Sequence, residues 1–525
     1  MTTTSGGRPR ATTRISLGRV AVVILATIAV LGSSAWLVRS TWVRSIVPGL
    51  TTFAGYVDVT ATPPYPFETP RGPAQQDVIL AFVVAGPDAP CTPTWGAYYT
   101  LDEAASALEI DRRLSQLRLT GGQARVSFGG ALNDELSTVC TEPQALSNAY
   151  QAVIERYELE SIDLDIEGAT LGDEQGNARR AQAIKAVQDR ALEQGRSLVV
   201  WLTLPVSTAG LTDQGLAVVE GMLAAGVDVA GVNGMAMDFG GSKLVGQDTS
   251  DAVLQSARAL HAQVGTAYGR AGQQVDPVAM WGRVGITPMI GQNDVPAEQF
   301  TLADAATLND FARVQGVGLL SMWSLNRDST CGHPLPVTLT VVQTSCSGID
   351  QGTESFADVL YSGTDDAVFS TPSATATATP TGDGVPGTGG QALASPVAVD
   401  DPATSPYPIW DPLGTYPGGT KTVWQQRVYQ AKWWTSGFAP DTPVPTADDT
   451  PWMLIGPVLP GDRPAPLPVL PANTYPQWNA TQAYVAGTRV QAGLVPYEAK
   501  WWSQGQRPGT AVSGGSPWVL ITPTQ

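Results

Sequence analysis

Histidine is almost missing from this chain, with only His261 and His333 among 525 residues. A site built on several imidazoles is therefore excluded, and a Ser-His-Asp triad is left with two candidate bases. Positive charge is scarce as well: 30 Lys and Arg stand against 47 Asp and Glu, a net charge of −17, which argues against nucleic acid as a partner. Cysteine is limited to Cys91, Cys140, Cys331 and Cys346, and none has C-x-x-C spacing, so thiolate metal ligation is not expected. Glycine (55) and proline (41) together stay below the roughly 25–30% of largely disordered chains. A hydrophobic fraction of 43% is enough for sizeable cores. Neither a metal nor an organic cofactor is implied, and nothing in the sequence calls for more than a monomer.

What is present begins with a long apolar run. Residues 20–38 carry no charge over 19 positions, close to the ~20 a helix needs to cross a bilayer. Arg8, Arg10, Arg14 and Arg19 precede the run, and Arg39 and Arg44 follow it. This balance predicts a basic cytoplasmic segment at 1–19, a transmembrane signal anchor or a signal peptide at 20–38, and everything after it exported. The membrane is then a partner only if the helix is uncleaved. In an exported chain four cysteines predict disulfides. Four cysteines allow three connectivities, of which the short loop between Cys331 and Cys346 favours Cys331–Cys346 with Cys91–Cys140.

From about residue 50 to 364, β-branched runs alternate with helix-like stretches. The runs start near Val57, Val78, Val126, Ile162, Val199, Val232, Val284 and Gly318, one per βα unit. Eight such units predict an α/β fold, a (β/α)8 TIM barrel. Residues 365–405 are rich in Ser, Thr, Pro, Ala and Gly and read as a flexible linker. Two small β-rich modules follow, at 406–456 and 474–523, separated by a stiffer Pro-rich linker at 457–473. The modules repeat each other: Tyr429, Ala431, Lys432, Trp433 and Trp434 recur at an offset of 68 as Tyr497, Ala499, Lys500, Trp501 and Trp502. Modules this small have marginal cores. Their tryptophans are expected both inside and on the surface, where flat aromatic faces stack on the C–H faces of sugar rings. The aromatics Tyr429, Trp433, Trp434, Tyr497, Trp501 and Trp502 are the candidates.

The chemistry is concentrated in Ser161-Ile162-Asp163-Leu164-Asp165-Ile166-Glu167-Gly168. In a strand, alternate side chains share a face, about 6.6–7 Å apart. The apolar set must face the surrounding helices, so Asp163, Asp165 and Glu167 face the barrel interior. Crowded carboxylates repel and resist desolvation, so protons are expected to be held among them near neutral pH. Glu167 lies nearest the C-terminal mouth, where barrel enzymes work, and is the candidate general acid.

The D-x-D-x-E pattern on the fourth strand resembles glycoside hydrolase family 18, the chitinases. Ser127-Phe128-Gly129-Gly130 ending the third, Met235-Ala236-Met237-Asp238 ending the sixth and Trp323 on the eighth add to that resemblance. The AKWW repeats resemble small chitin-binding modules of carbohydrate-binding module families 5 and 12. The resemblance implies an exported enzyme acting on chitin or another N-acetylglucosamine polysaccharide by a retaining, substrate-assisted mechanism. In that scheme Glu167 is acid and base, Asp165 and Asp163 position the reacting acetamido group and share a proton, and Asp238 helps hold that group. Trp323 forms the hydrophobic floor, with Ser127, Gly129, Gly130, Asn233, Met235 and Met237 as further substrate-binding candidates. Met237 occupies the place of the family's usual tyrosine, which removes a hydroxyl. A chitin-binding lectin on the same barrel and an endo-β-N-acetylglucosaminidase are the alternative readings.

Overall fold

The eight β-branched runs become eight parallel strands. A computed structural model describes residues 51–364, 399–412, 414–464, 466–509 and 516–521. The basic segment at 1–19, the apolar run at 20–38 and most of the 365–405 linker lie outside the described residues. Among the described residues no helix is long and apolar enough to cross a membrane.

Strand β1 comprises Thr52–Phe53 and, after Ala54, Gly55–Asp58; β2 is Asp77–Gly86, β3 Gln123–Gly129 and β4 Ser161–Asp165. Strand β5 is Val199–Ser207, β6 Val229–Met235, β7 Val284–Thr287 and β8 Leu319–Leu320. Each pairs in parallel with the next. The start of β1 pairs with β8, Thr52 opposite Leu319, so the sheet closes on itself. Helices α1 (Leu101–Ala107), α2 (Ile110–Leu119), α3 (Pro143–Arg156), α4 (Glu174–Glu193), α5 (Asp213–Ala224), α6 (Thr249–Arg270), α7 (Leu302–Gln315) and α8 (Phe356–Tyr361) follow in chain order. The first βα unit departs from the regular pattern, because only a single 3-10 turn at Pro73–Gln75 separates β1 from β2.

Closure sorts the side chains. Ile162, Leu164 and Ile166 enter the main core under the helices, each at 1% exposure or less. The inward face instead carries a small cluster of Ala54, Tyr56, Ile79, Ala81, Trp201 and Leu319. Two disulfides staple the excursions, Cys91–Cys140 and Cys331–Cys346, the pairing that the loop lengths predict.

The modules are two small antiparallel sheets. The first has β9 (Lys421–Trp424), β10 (Arg427–Ala431) and β11 (Trp452–Pro457). The second has β12 (Arg489–Ala492), β13 (Val495–Ala499) and β14 (Trp518–Leu520). Tyr416, Tyr429 and Trp452 fill the first core, and Tyr484, Tyr497 and Trp518 the second. The two core indoles donate their N–H groups to main-chain carbonyls, Trp452 to Phe438 (2.8 Å) and Trp518 to Gln506 (2.7 Å). Trp433, Trp434, Trp501 and Trp502 stay 44–64% exposed. Tyr429 and Tyr497, expected beside them on a sugar-facing surface, are instead core residues at 9% and 8% exposure. They sit on strand positions that face the Trp452 and Trp518 layer, where marginal cores need every large ring. Hydrogen bonding of the first module begins earlier than residue 406, since Asp400 accepts the backbone N–H groups of Gln425 (2.8 Å) and Gln426 (2.6 Å).

Candidate active site

Strand β4 lies between β3 and β5 with Asp163 opposite Ser127 and Trp201, and Asp165 opposite Gly129 and Thr203. The period of two therefore aims all three acids along the barrel axis. Their exposure climbs toward the mouth: Asp163 is fully buried, Asp165 is 4% exposed, and Glu167, still in extended backbone, is half-buried.

Asp163 accepts three hydroxyl hydrogen bonds, from Ser127 Oγ (2.7 Å), Tyr56 Oη (2.8 Å) and Thr203 Oγ1 (2.6 Å). Behind Thr203 the donors line up in one direction. Thr287 Oγ1 donates to Asn233 Oδ1 (2.9 Å), and Asn233 Nδ2 donates to Thr203 Oγ1 (3.0 Å). Such a chain suits an anion at its end. Arg125 lies toward the base of the barrel, 2% exposed, with its Nε on Ser161 Oγ (2.9 Å) and its guanidinium over the Trp201 ring at 5.6 Å. Burial pushes the Asp163 carboxyl up, and the hydroxyls and the Arg125 charge pull it back. Asp165 has no such support. Burial, then Glu167, then Asp163 drive its carboxyl well above the ordinary range, and its Oδ1 is buried without a hydrogen-bond partner. The proton expected to be shared among these acids is therefore held more readily at Asp165 than at Asp163, which has three hydroxyl donors. Burial also raises Glu167, so it keeps its proton to a higher pH than an exposed glutamate.

Trp323 sits at the end of β8 in an aromatic group. Its ring stacks on Phe82 at 5.5 Å and 21°, and meets Tyr56 at 5.9 Å. Phe82 is a residue that strict alternation misses. Ile79 and Ala81 already point inward, so period two sends Phe82 out, but the register of β2 on β3 shifts between Leu80 and Val83. Gly130 makes room for this ring, since a Cβ there would lie 2.9 Å from it. Gly129, at φ +105°, brings β3 so near β4 that a Cβ would stand 2.1 Å from the Asp165 carbonyl oxygen. Both glycines thus shape the walls of the site. Ser127 and Asn233, expected on the substrate, are fully buried and serve Asp163 instead.

Met235 and Met237 are half-buried at the end of β6. Asp238 follows at φ +49°, and its loop is pinned from beyond β7. Val295 N–H donates to Asp238 Oδ1 (2.9 Å), Asp238 N–H donates to Asn293 Oδ1 (3.3 Å), and Phe239 and Gly240 N–H donate to Glu298 (2.9 and 2.8 Å). Burial raises the Asp238 carboxyl. None of these partners is a hydroxyl, and Tyr56 spends its own on Asp163, so neither replaces the one lost at Met237. Arg125, Thr203, Thr287, Asn293 and Glu298 carry no motif. For the first three, the inward parity of their strands is the signal that could have found them. Among the described residues no group of His, Cys, Asp or Glu could hold a metal ion.

Fold and site together define a closed (β/α)8 barrel with a graded column of carboxylates opening at its C-terminal mouth, the arrangement of an acid/base enzyme. No protein-family model matches the chain. It is 35% identical over 263 residues to a probable bifunctional chitinase/lysozyme of Escherichia coli K12, covering 49% of this chain and 28% of that protein. It is 34% identical over 273 residues to Endochitinase 11 of Metarhizium anisopliae, covering 51% of this chain and 49% of that one. The chain thus spans about half or less of the length of these curated relatives. Among solved structures, the catalytic domain of a hyperthermophilic chitinase from Pyrococcus furiosus is 26% identical, with a TM-score of 0.51, over 60% of this chain and 94% of that chain.

Proposed function

We propose that this chain is an exported chitinase of the glycoside hydrolase family 18 type, cleaving β-1,4-N-acetylglucosamine linkages with retention. Chitin is the substrate, and the two modules hold the enzyme on it through Trp433, Trp434, Trp501 and Trp502. The observation that carries this reading is the graded column on β4, in which Asp163, held by three hydroxyls, and Asp165, whose carboxyl is driven well above the ordinary range, lie beneath a half-buried Glu167 whose carboxyl burial also raises.

In the reaction Glu167 donates its proton to the glycosidic oxygen as the bond breaks. The acetamido oxygen of the same sugar attacks the anomeric carbon from the opposite side and closes an oxazolinium ring. Asp165, with a proton to give and a raised affinity for it, turns to the acetamido N–H and takes up the developing positive charge as its proton passes toward Asp163. Trp323, backed by Phe82 and Tyr56, gives the sugar an apolar floor, and Asp238 borders the acetamido pocket. Glu167, now an anion, removes a proton from water as the water oxygen bonds to the anomeric carbon and the ring C–O bond of the oxazolinium breaks, and the proton on Asp163 returns to Asp165, which restores the starting state. With Met237 in place of a tyrosine, the acetamido oxygen lacks one hydroxyl donor, so a slower first step is expected than in a site that has it.

The test is release of soluble sugar from colloidal chitin by the native chain and by Glu167→Gln. Release by the native chain alone supports the enzyme. Binding without release by both supports the lectin, and release by the variant at the native rate refutes the role of Glu167.

A further inference from the structure

The sister modules treat the same surface position differently. In the second, Arg489 is neutralised within the module by Glu498, at 2.8 Å, beside Tyr475. In the first, the corresponding residues at an offset of 68 are Lys421, Gln430 and Tyr407, so the base has lost its acid. Its partner comes from the barrel: Lys421 Nζ lies 2.8 Å from Glu109 Oε1, and Tyr407 Oη donates to the same oxygen.

Glu109 precedes α2 at φ +55° and also binds Arg112 Nε at 2.9 Å. Arg112 reaches back into the module, with Nη1 on the Pro457 carbonyl (2.6 Å) and on Asp462 Oδ2 (2.9 Å). The turn presenting Asp462 is braced by Leu459 N–H, 2.7 Å from the same carboxylate. Glu109 and Arg112 are each 4% exposed. The set holds two acids and two bases, and its charges balance. Because Glu109 and Arg112 are buried, removing either leaves the other as a buried charge short of a partner, so the set favours one geometry.

The main chains also meet. Gly456, at φ +149°, lies so near α2 that a Cβ would be 2.6 Å from the Arg112 carbonyl oxygen and 3.1 Å from Gln116 Cβ. Aligning Trp452 with Trp518 puts Thr522 at this place in the second module. A glycine and a missing acid both occur in the module that touches the barrel, and Asp462, in the segment just after it, completes the contact.

We propose that the first module is a fixed part of the catalytic body, docked on α2 through Glu109, Arg112, Lys421, Tyr407, Gly456 and Asp462. The second module, with Glu498 and Thr522 where the first has Gln430 and Gly456, acts as a separate binder. Trp433 and Trp434 then keep a constant position relative to the barrel, and the 365–405 segment does not set their reach. The docking stands independently of the reaction, and only its bearing on chitin rests on the proposed function.

The four native cysteines are in disulfides, so spin labels at Ala152→Cys on α3 and Arg427→Cys on β10 report the barrel-to-module distance in the full chain. The native distribution should be single and narrow. Arg112→Ala, which leaves the module's own residues intact, and Gly456→Val, which leaves the barrel's intact, should each broaden it about twofold or more as the docked domain becomes tethered. Arg489→Ala in the second module should leave it unchanged. A broad native distribution, or a narrow one that survives both substitutions, overturns the proposal. On insoluble chitin the undocked variants should lose rate while keeping native turnover of soluble oligosaccharides. Failure of the native chain to cleave any chitin would remove the proposed function and leave the distance measurement to decide docking.

Discussion

The barrel and the modules place their informative side chains in opposite environments. The barrel hides charge, with Asp163, Asp165 and Arg125 each at 4% exposure or less, and most of the column is reached only from the mouth. The modules show rings to solvent, with four tryptophans 44–64% exposed on cores that hold only a few large residues each. Burial is what makes a carboxyl a proton donor near neutral pH, because water no longer stabilises the charged form. Exposure is what makes an indole a sticking surface, because its apolar face is still to be covered. Under the proposed function, one chain thus separates chemistry from adhesion by depth.

The sharpest way to break this contrast is at Glu167. Glu167→Gln should lower kcat on chitin oligosaccharides by about 10²–10⁴-fold, the range for loss of a general acid, with retention on insoluble chitin unchanged. A comparable loss of retention would show that depth does not divide the two functions. The opposite experiment removes the rings. Trp433→Ala with Trp434→Ala, or Trp501→Ala with Trp502→Ala, should each weaken binding to insoluble chitin by at least about tenfold by ending bivalent attachment. Soluble-substrate kcat/KM should stay at the native value.

Two smaller effects test the interior alone. Thr203→Val deprives Asp163 Oδ1 of its donor and leaves Asn233 Nδ2 unmet, and should cost about 1–3 kcal/mol in denaturant unfolding. The pH dependence of stability has a definite sign. The folded chain holds the Asp165 proton to a higher pH than the unfolded chain, so stability falls as pH rises from the ordinary aspartate range toward the raised value. Asp165→Asn should therefore gain Tm on the native chain across that window and keep the gain above it. Its slope is bounded by about 1.4 kcal/mol for each pH unit from one proton. Parallel Tm curves would contradict the assignment of the proton to Asp165.

Much of this was legible in the sequence, because periodicity reports directly on burial. The eight strand starts and the inward aim of the β4 acids follow from spacing, while the short loop between Cys331 and Cys346 only favours the observed disulfide pairing among three. What escaped has physical causes. Phe82 turns inward through a register shift that no alternation shows, and Arg125 reads as an ordinary strand polar residue until closure traps it beneath Asp163. Ser127 and Asn233 read as substrate-facing because a strand end does not reveal its depth. Tyr429 and Tyr497 read as candidates for sugar contact because an aromatic motif does not say which ring the small core needs. The ties between Glu109 and Lys421 join residues 312 positions apart, and no local pattern announces a contact of that kind.

In the proposed mechanism Glu167 supplies the proton and the substrate supplies its own nucleophile. The direct measurement is proton NMR of the first products from a chitin oligosaccharide and from its de-N-acetylated counterpart, each given to the native chain. The account predicts that only the acetylated chain is cleaved and that its new reducing end appears first as the β-anomer. Cleavage of both chains at similar rates, or initial appearance of the α-anomer, would contradict it.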